Sequence, residues 1–246
     1  MSVPSPGSPF TDRLRDIIGD ARVVATGEHS HFIDEFDSLR RRVPRFLVER
    51  RGFTAPAFEY GFAGGLPLDA WVRGEGADIP AAGGSPRSPR SPPTCAGSTR
   101  RCCRWSRRRR GSPSPATGTT TTSPRAAWKP LARATTDALG DDYFALGLTS
   151  TTGRTAEMRR DGGTPFGFAI DGTPPGPPEP GSVEAAFADA GLGLHIADLR
   201  RARRELAGAG PDRIRMQSTY LHTPVLDAFD GILNTPTSTI AGDLGG

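Results

Sequence analysis

The pentapeptide Gly27-Glu28-His29-Ser30-His31 gathers one carboxylate and two imidazoles into a short stretch of chain. A carboxylate that holds one imidazole nitrogen fixes the tautomer and strengthens the other nitrogen as a base toward water. Glu59 follows a second apolar run and adds a further carboxylate. If both runs are parallel strands, Glu28 and Glu59 reach the same edge of a sheet, the edge where open α/β sheets bind ligands. Two carboxylates and a histidine close together there make an acid/base site. A metal site competes with this reading, because Glu28, His29 and His31 are all possible ligands. No further ligand cluster supports it, and neither metal nor cofactor is expected.

The elements that must position these residues are legible around them. Residues 22–26 are a short β-favouring run that ends at Gly27. Phe36, Leu39, Val43, Phe46 and Leu47 then recur at helical spacing, with Arg40, Arg41, Arg42 and Glu49 between them. Pro44 predicts a kink or break in that helix, and Gly52 its end. Residues 53–58 are the second strand candidate, weakened by Pro56. Strand, helix and strand with a crossover of about 25 residues favour a parallel pair. Short helices are expected over residues 13–18, with Thr11 or Asp12 as cap, and over 66–72. Beyond the middle of the chain, helices are expected over 131–139, 183–190 (opened by Ser182 and Glu184, closed by Gly191) and 223–229. Strands are expected over 143–148, 166–170, 194–197 and 213–218.

Composition divides the chain unevenly. It has 246 residues, a formal charge of +4, 31 glycines and 24 prolines. No acidic residue lies between Asp78 and Asp137, and twelve of the 31 basic residues do; the remainder carries 19 basic and 27 acidic side chains, a net of −8. An all-over basic nucleic-acid binder is therefore disfavoured. Residues 81–129, with Ser-Pro-Arg repeats, four consecutive arginines and four consecutive threonines, are too poor in large apolar groups to offset the entropy of ordering. They are expected to be disordered, as are residues 1–11. Cys95, Cys102 and Cys103 all fall in that segment and show neither a disulfide framework nor zinc spacing. No apolar run approaches a membrane span and the start lacks a secretory pattern, so a cytoplasmic protein is expected.

The stretch from Ala21 through Gly74 resembles the N-terminal part of the erythromycin esterase family. The resemblance rests on a strand ending in Gly-Glu-x-x-His (Gly27, Glu28, His31), a following helix beginning with Glu35, and Glu59 after the second strand. The segments "LGDDYFALGLTSTTGRTAEM", "PGSVEAAFADAG" and "RMQSTYLHTPVLDAFDGILNTPTST" resemble its C-terminal part. The resemblance implies an α/β hydrolase of ester or lactone bonds acting on a small molecule, a macrolide lactone in the best-known case. It implies His31 as the base that activates water, with Glu28, Glu59 and Glu35 around it and no cofactor. His29 is off the family's base position and is expected to be a loop side chain; Arg215 and Tyr220 have no assigned role.

The resulting expectation is a mostly parallel sheet flanked by helices, incomplete, with family-like pieces at 12–80 and 130–246 bridged by the segment 81–129. The family's Arg-Asp pair before a Met-Ala-x-Asn-type segment and its strand ending in His-Asn-x-His do not occur here. The composition of 81–129 matches out-of-frame translation of GC-rich DNA, which predicts a shortened relative of doubtful activity. An inactive remnant is the first alternative. Nucleic-acid binding through the arginines, with Trp105 stacking on a base, is the second.

Overall fold

The computed structural model describes residues 9–58, 74, 116–119, 138–163, 167–206 and 208–241. Helix α1 (Pro9–Ile18) and strand β1 (Val23–Glu28) lead into helix α2 (Asp34–Arg51) and strand β2 (Ala55–Phe58). Strand β3 (Ala116–Thr119) comes next, then β4 (Tyr143–Gly153), the hairpin β5 (Thr155–Arg160) and β6 (Phe168–Thr173), and helix α3 (Val183–Asp189). Strand β7 (His195–Asp198), helix α4 (Leu199–Leu206), the hairpin β8 (Arg213–Met216) and β9 (Thr219–His222), helix α5 (Val225–Ala228) and β10 (Gly231–Ser238) complete the order.

Six strands form one sheet in the order β2-β3-β1-β4-β10-β7. All its pairings are parallel except β10 with β7. The expected mixed α/β class is therefore observed, with a mostly parallel sheet. One expectation is corrected: β1 and β2 run parallel but are not hydrogen-bonded neighbours. Strand β3, from within the segment expected to be disordered, inserts between them and pairs with both. A crossover fixes the direction of its two strands, not their adjacency. Among the described residues β2 is an edge strand, which accommodates the missing N–H of Pro56.

Burial on both faces explains why the first half of β4, Tyr143 to Leu148, reads as an almost unbroken apolar run. Phe144, Leu146 and Leu148 pack with Val24 of β1 and with Leu14, Ile18, Phe36, Leu39 and Leu47 of α1 and α2. On the other face Ile232 and Phe229 pack with Val183, Phe187, Ile214 and Leu226. Of the kink or break expected at Pro44, the break does not occur: α2 is continuous through it. Its apolar stripe continues on both sides of the proline, and burial of that stripe outweighs one lost helical bond. The helix ends where predicted, at Gly52, whose φ of 74° and N–H bond to the Leu47 carbonyl need a residue free of a Cβ penalty. Helix α1 begins at Pro9 rather than at a Thr11 or Asp12 cap, as proline's fixed φ suits a first turn. Ser182 does cap α3, accepting from the Ala185 N–H at 3.0 Å. The expected helix over 66–72, most of that over 131–139, and Glu59 itself lie outside the described residues.

Candidate active site

Gly27 and Glu28, the last residues of β1, pair with Gly147 and Leu148 of β4, so the chain emerges at the carboxyl edge of the sheet. From there the two histidines diverge. His31 Nδ1 lies 2.9 Å from Glu28 Oε1. The Glu28 side chain is only 2% exposed, and the same oxygen accepts from Arg40 Nη1 at 3.0 Å. The Arg40 charge compensates a carboxylate that could not otherwise be buried at this depth. Arg40 reaches Glu28 from α2 and is braced by Asp37, one turn back on that helix. The His31 side chain is 38% exposed. With Nδ1–H committed to Glu28, Nε2 is the nitrogen with a lone pair.

His29 turns the other way and is 3% exposed, so its expected role as a loop side chain is replaced by a place in the interior. Its ring meets Phe36 edge-on at 5.1 Å, and Nε2 lies 2.9 Å from Ser150 Oγ on β4. Burial first, and the positive charge of Arg215 second, lower this imidazole from its ordinary 6.5 to about 3; its own main chain opposes them. His29 is thus neutral. This split also undoes the alternative of a shared metal at Glu28, His29 and His31. Among the described residues no group of three or more His, Cys, Asp or Glu is placed to hold an ion.

Glu35, in the first turn of α2, is engaged elsewhere. Its two oxygens accept from the N–H of Thr239 at 2.8 Å and its hydroxyl at 2.9 Å. The structure thus brings together Glu28 and His31, ties Glu35 to the segment after β10, and leaves Glu59 outside the described residues. The loop between β1 and α2 is held from several sides. Ser30 Oγ accepts from the Ala156 N–H at 3.0 Å, and the His29 carbonyl accepts from the Gln217 N–H at 2.9 Å. Phe32 and Gln217 both have positive φ, at 57° and 54°. Such backbone needs support from its surroundings and collects at functional sites.

Sequence reasoning missed a second polar group beside the site. Arg215 of β8 and Glu184 of α3 are both fully buried. Glu184 Oε1 accepts from the Thr149 hydroxyl and, at 3.1 Å, from the Arg215 N–H. Burial raises its carboxyl above the ordinary value, against hydrogen bonds from Thr149 and from main-chain N–H groups and the Arg215 charge. The Arg215 guanidinium donates to the carbonyls of Pro175 at 2.8 Å and Gly176 at 3.4 Å and faces the Tyr220 ring at 5.2 Å. An acidic residue in a helix's first turn ordinarily signals a solvated end, so nothing in the sequence marks Glu184 as buried.

Comparison with known proteins bears on the family and the fold. Residues 120–238 match the family model of erythromycin esterase. A 65-residue stretch, 26% of the chain, is 57% identical to erythromycin esterase type II of Escherichia coli, and 59 residues are 39% identical to the type I enzyme of the same organism. The findings support the erythromycin esterase family. The matched stretches span 16% and 14% of the length of those two esterases. In fold, a mutant of the erythromycin esterase EreC in its open conformation superposes with a TM-score of 0.70 at 14% identity, over 96% of this chain and 95% of that one. A succinoglycan biosynthesis protein superposes at 0.65 and 12% identity, over 97% and 94%. The erythromycin esterase model covers Glu184 and Arg215, while Glu28 and His31 precede it. Among the described residues no helix is long and apolar enough to cross a membrane.

Proposed function

We propose that the chain hydrolyses ester or lactone bonds of a small molecule, with His31 as the general base. The observation that carries this reading is the 2.9 Å contact between His31 Nδ1 and a buried Glu28 carboxylate. It leaves Nε2 on a half-exposed ring at the carboxyl edge of a parallel sheet, able to take a proton from water. In the reaction, water bonds to the carbonyl carbon as its proton passes to Nε2. The resulting tetrahedral intermediate expels the alcohol oxygen, and the imidazolium returns the proton to it, giving acid and alcohol. Glu28 stabilises the transient positive ring and Arg40 holds Glu28. Glu59, the next residue in sequence after β2, is the further carboxylate that the resemblance assigns to the site, and Glu35 anchors the start of α2. The resemblance to erythromycin esterases makes a macrolide lactone the substrate to try first.

Hydrolysis of a chromogenic ester, and addition of one water to erythromycin seen by mass spectrometry, test the reading. His31→Ala should remove both activities. Unchanged hydrolysis by a correctly folded His31→Ala protein sinks the assignment of the base.

A further inference from the structure

Behind Glu28 lies a cavity of about 30 Å³ between the end of β1, the middle of β4 and the hairpin β8–β9, enough for one or two water-sized groups. Its walls are largely apolar, Leu148, Ile214 and Phe229 among them. Glu28, His29 and Arg215 also line it, and each has one buried polar atom without a hydrogen-bond partner: Oε2, Nδ1 and Nε. Buried polar groups are rarely left so, and three around one cavity ask for a common occupant.

The direction of the hydrogen bonds defines what that occupant must offer. Ser238 Oγ has the carbonyls of Thr152 and Arg154 within 3.0 and 2.8 Å, and these can only accept. Its one proton goes there, so it accepts from Ser150 Oγ at 3.1 Å. The Ser150 proton is thereby committed, and Ser150 accepts from His29 Nε2–H. His29 Nδ1 is then a bare lone pair. The unpartnered atoms of its lining residues are one donor, Arg215 Nε–H, and two acceptors, His29 Nδ1 and Glu28 Oε2. A group that accepts once and donates once, on an apolar stem, satisfies this set.

We propose that the cavity binds an aliphatic hydroxyl of the ester substrate, held by Arg215 Nε–H and giving its proton to His29 or Glu28. That the hydroxyl belongs to an ester rests on the hydrolase reading; the cavity's preference for an alcohol does not. An imidazole and a carboxylate separate the cavity from His31 Nε2. The hydroxyl therefore sits several bonds from the reacting carbonyl and is not the one released.

Side-chain nitrogen NMR of the whole chain tests this. Two-bond proton–nitrogen correlation should show His29 as the Nε2–H tautomer. Ethanol should shift its Nδ1 resonance saturably, with half-saturation at least fivefold below that of acetonitrile, which is of similar size but has no hydroxyl proton. His29→Gln keeps an N–H for Ser150 and loses the Nδ1 acceptor. It should weaken ethanol binding at least fivefold, read from the Gly147 and Leu148 amides. An Nδ1–H tautomer, an unsaturable shift, equal response to both probes, or unchanged binding in a folded His29→Gln protein would each overturn the proposal. Ethanol binding without turnover of any ester would count against the hydrolase reading alone, and ester turnover without ethanol binding against the hydroxyl site alone.

Discussion

Glu28 Oε1 and His31 Nδ1 meet at 2.9 Å, and because Arg40 Nη1 sits 3.0 Å from the same oxygen, one atom of one carboxylate joins base and cation. Glu28→Gln should lower kcat for a chromogenic ester about 100-fold, in the range of a lost general-base partner. Arg40→Met keeps both groups in the sequence but strips the buried Glu28 carboxylate of its compensating cation, so it should lose about 3–5 kcal/mol of stability as well as activity. His31→Ala should abolish turnover yet move the melting temperature by only about 2 °C, as its half-exposed ring holds no core together. Steady-state kinetics with parallel thermal melts read all three.

Two buried titratable groups, His29 and Glu184, make opposite demands on pH. His29 has a folded value of about 3 against an ordinary 6.5, so the unfolded chain takes the proton first. Its contribution to stability is complete above pH 6.5 and is lost as pH falls toward 3, by up to about 1.4 kcal/mol per unit. Glu184 is raised above its ordinary value, so its contribution is present below that value and is lost as pH rises through the folded one. Glu184→Gln removes only the second slope. Urea unfolding from pH 4.5 to 6.5 should show the variant gaining stability with pH more steeply than the parent, and parallel curves would refute the assignment.

Gly153 closes β4 at φ 107°, and a Cβ there would fall 2.2 Å from the Ser238 carbonyl oxygen and 2.4 Å from its nitrogen. Gly153→Ala should cost about 3 kcal/mol or more, since main chain cannot step aside. Gly19 also has positive φ, 56°, but open space around it. Gly19→Ala should cost only about 1 kcal/mol. Chemical denaturation of the pair separates crowding from backbone strain.

Ser30 links the site loop to the β5–β6 hairpin through the Ala156 N–H. Ser30→Ala leaves that buried N–H without its acceptor, at a cost of about 1–3 kcal/mol. Amide exchange at Ala156 should accelerate accordingly, with exchange at Val24 in the core unchanged.

The parts of this site that were legible in the sequence are local. Gly27, Glu28 and His31 lie at the end of a β-favouring run, and three residues of separation suffice to bring carboxylate to imidazole. The stripe from Phe36 to Leu47 declared α2, and its burial carried the helix past Pro44. Arg40 was illegible as a partner of Glu28 because it is one of three adjacent arginines, and only the docking angle of α2 selects it. His29 could not be told from a loop residue, since its burial depends on Ser150 and Arg215, more than 120 residues away. Strand β3 has the sequence Ala-Thr-Gly-Thr. Nothing in it marks a strand; its two neighbours supply the pairing.

Glu35 and Thr239 are 204 residues apart, and the ties around them extend to Asp34 N–H on the Thr239 carbonyl, Ala241 N–H on the Phe32 carbonyl and a bridge from Ile33 to Ile240. During synthesis the ribosome delivers these ties some 200 residues after His31. The loop that presents His31 therefore gains these ties only after some 200 further residues have been added, and a nascent chain carries the proposed base through that interval without them.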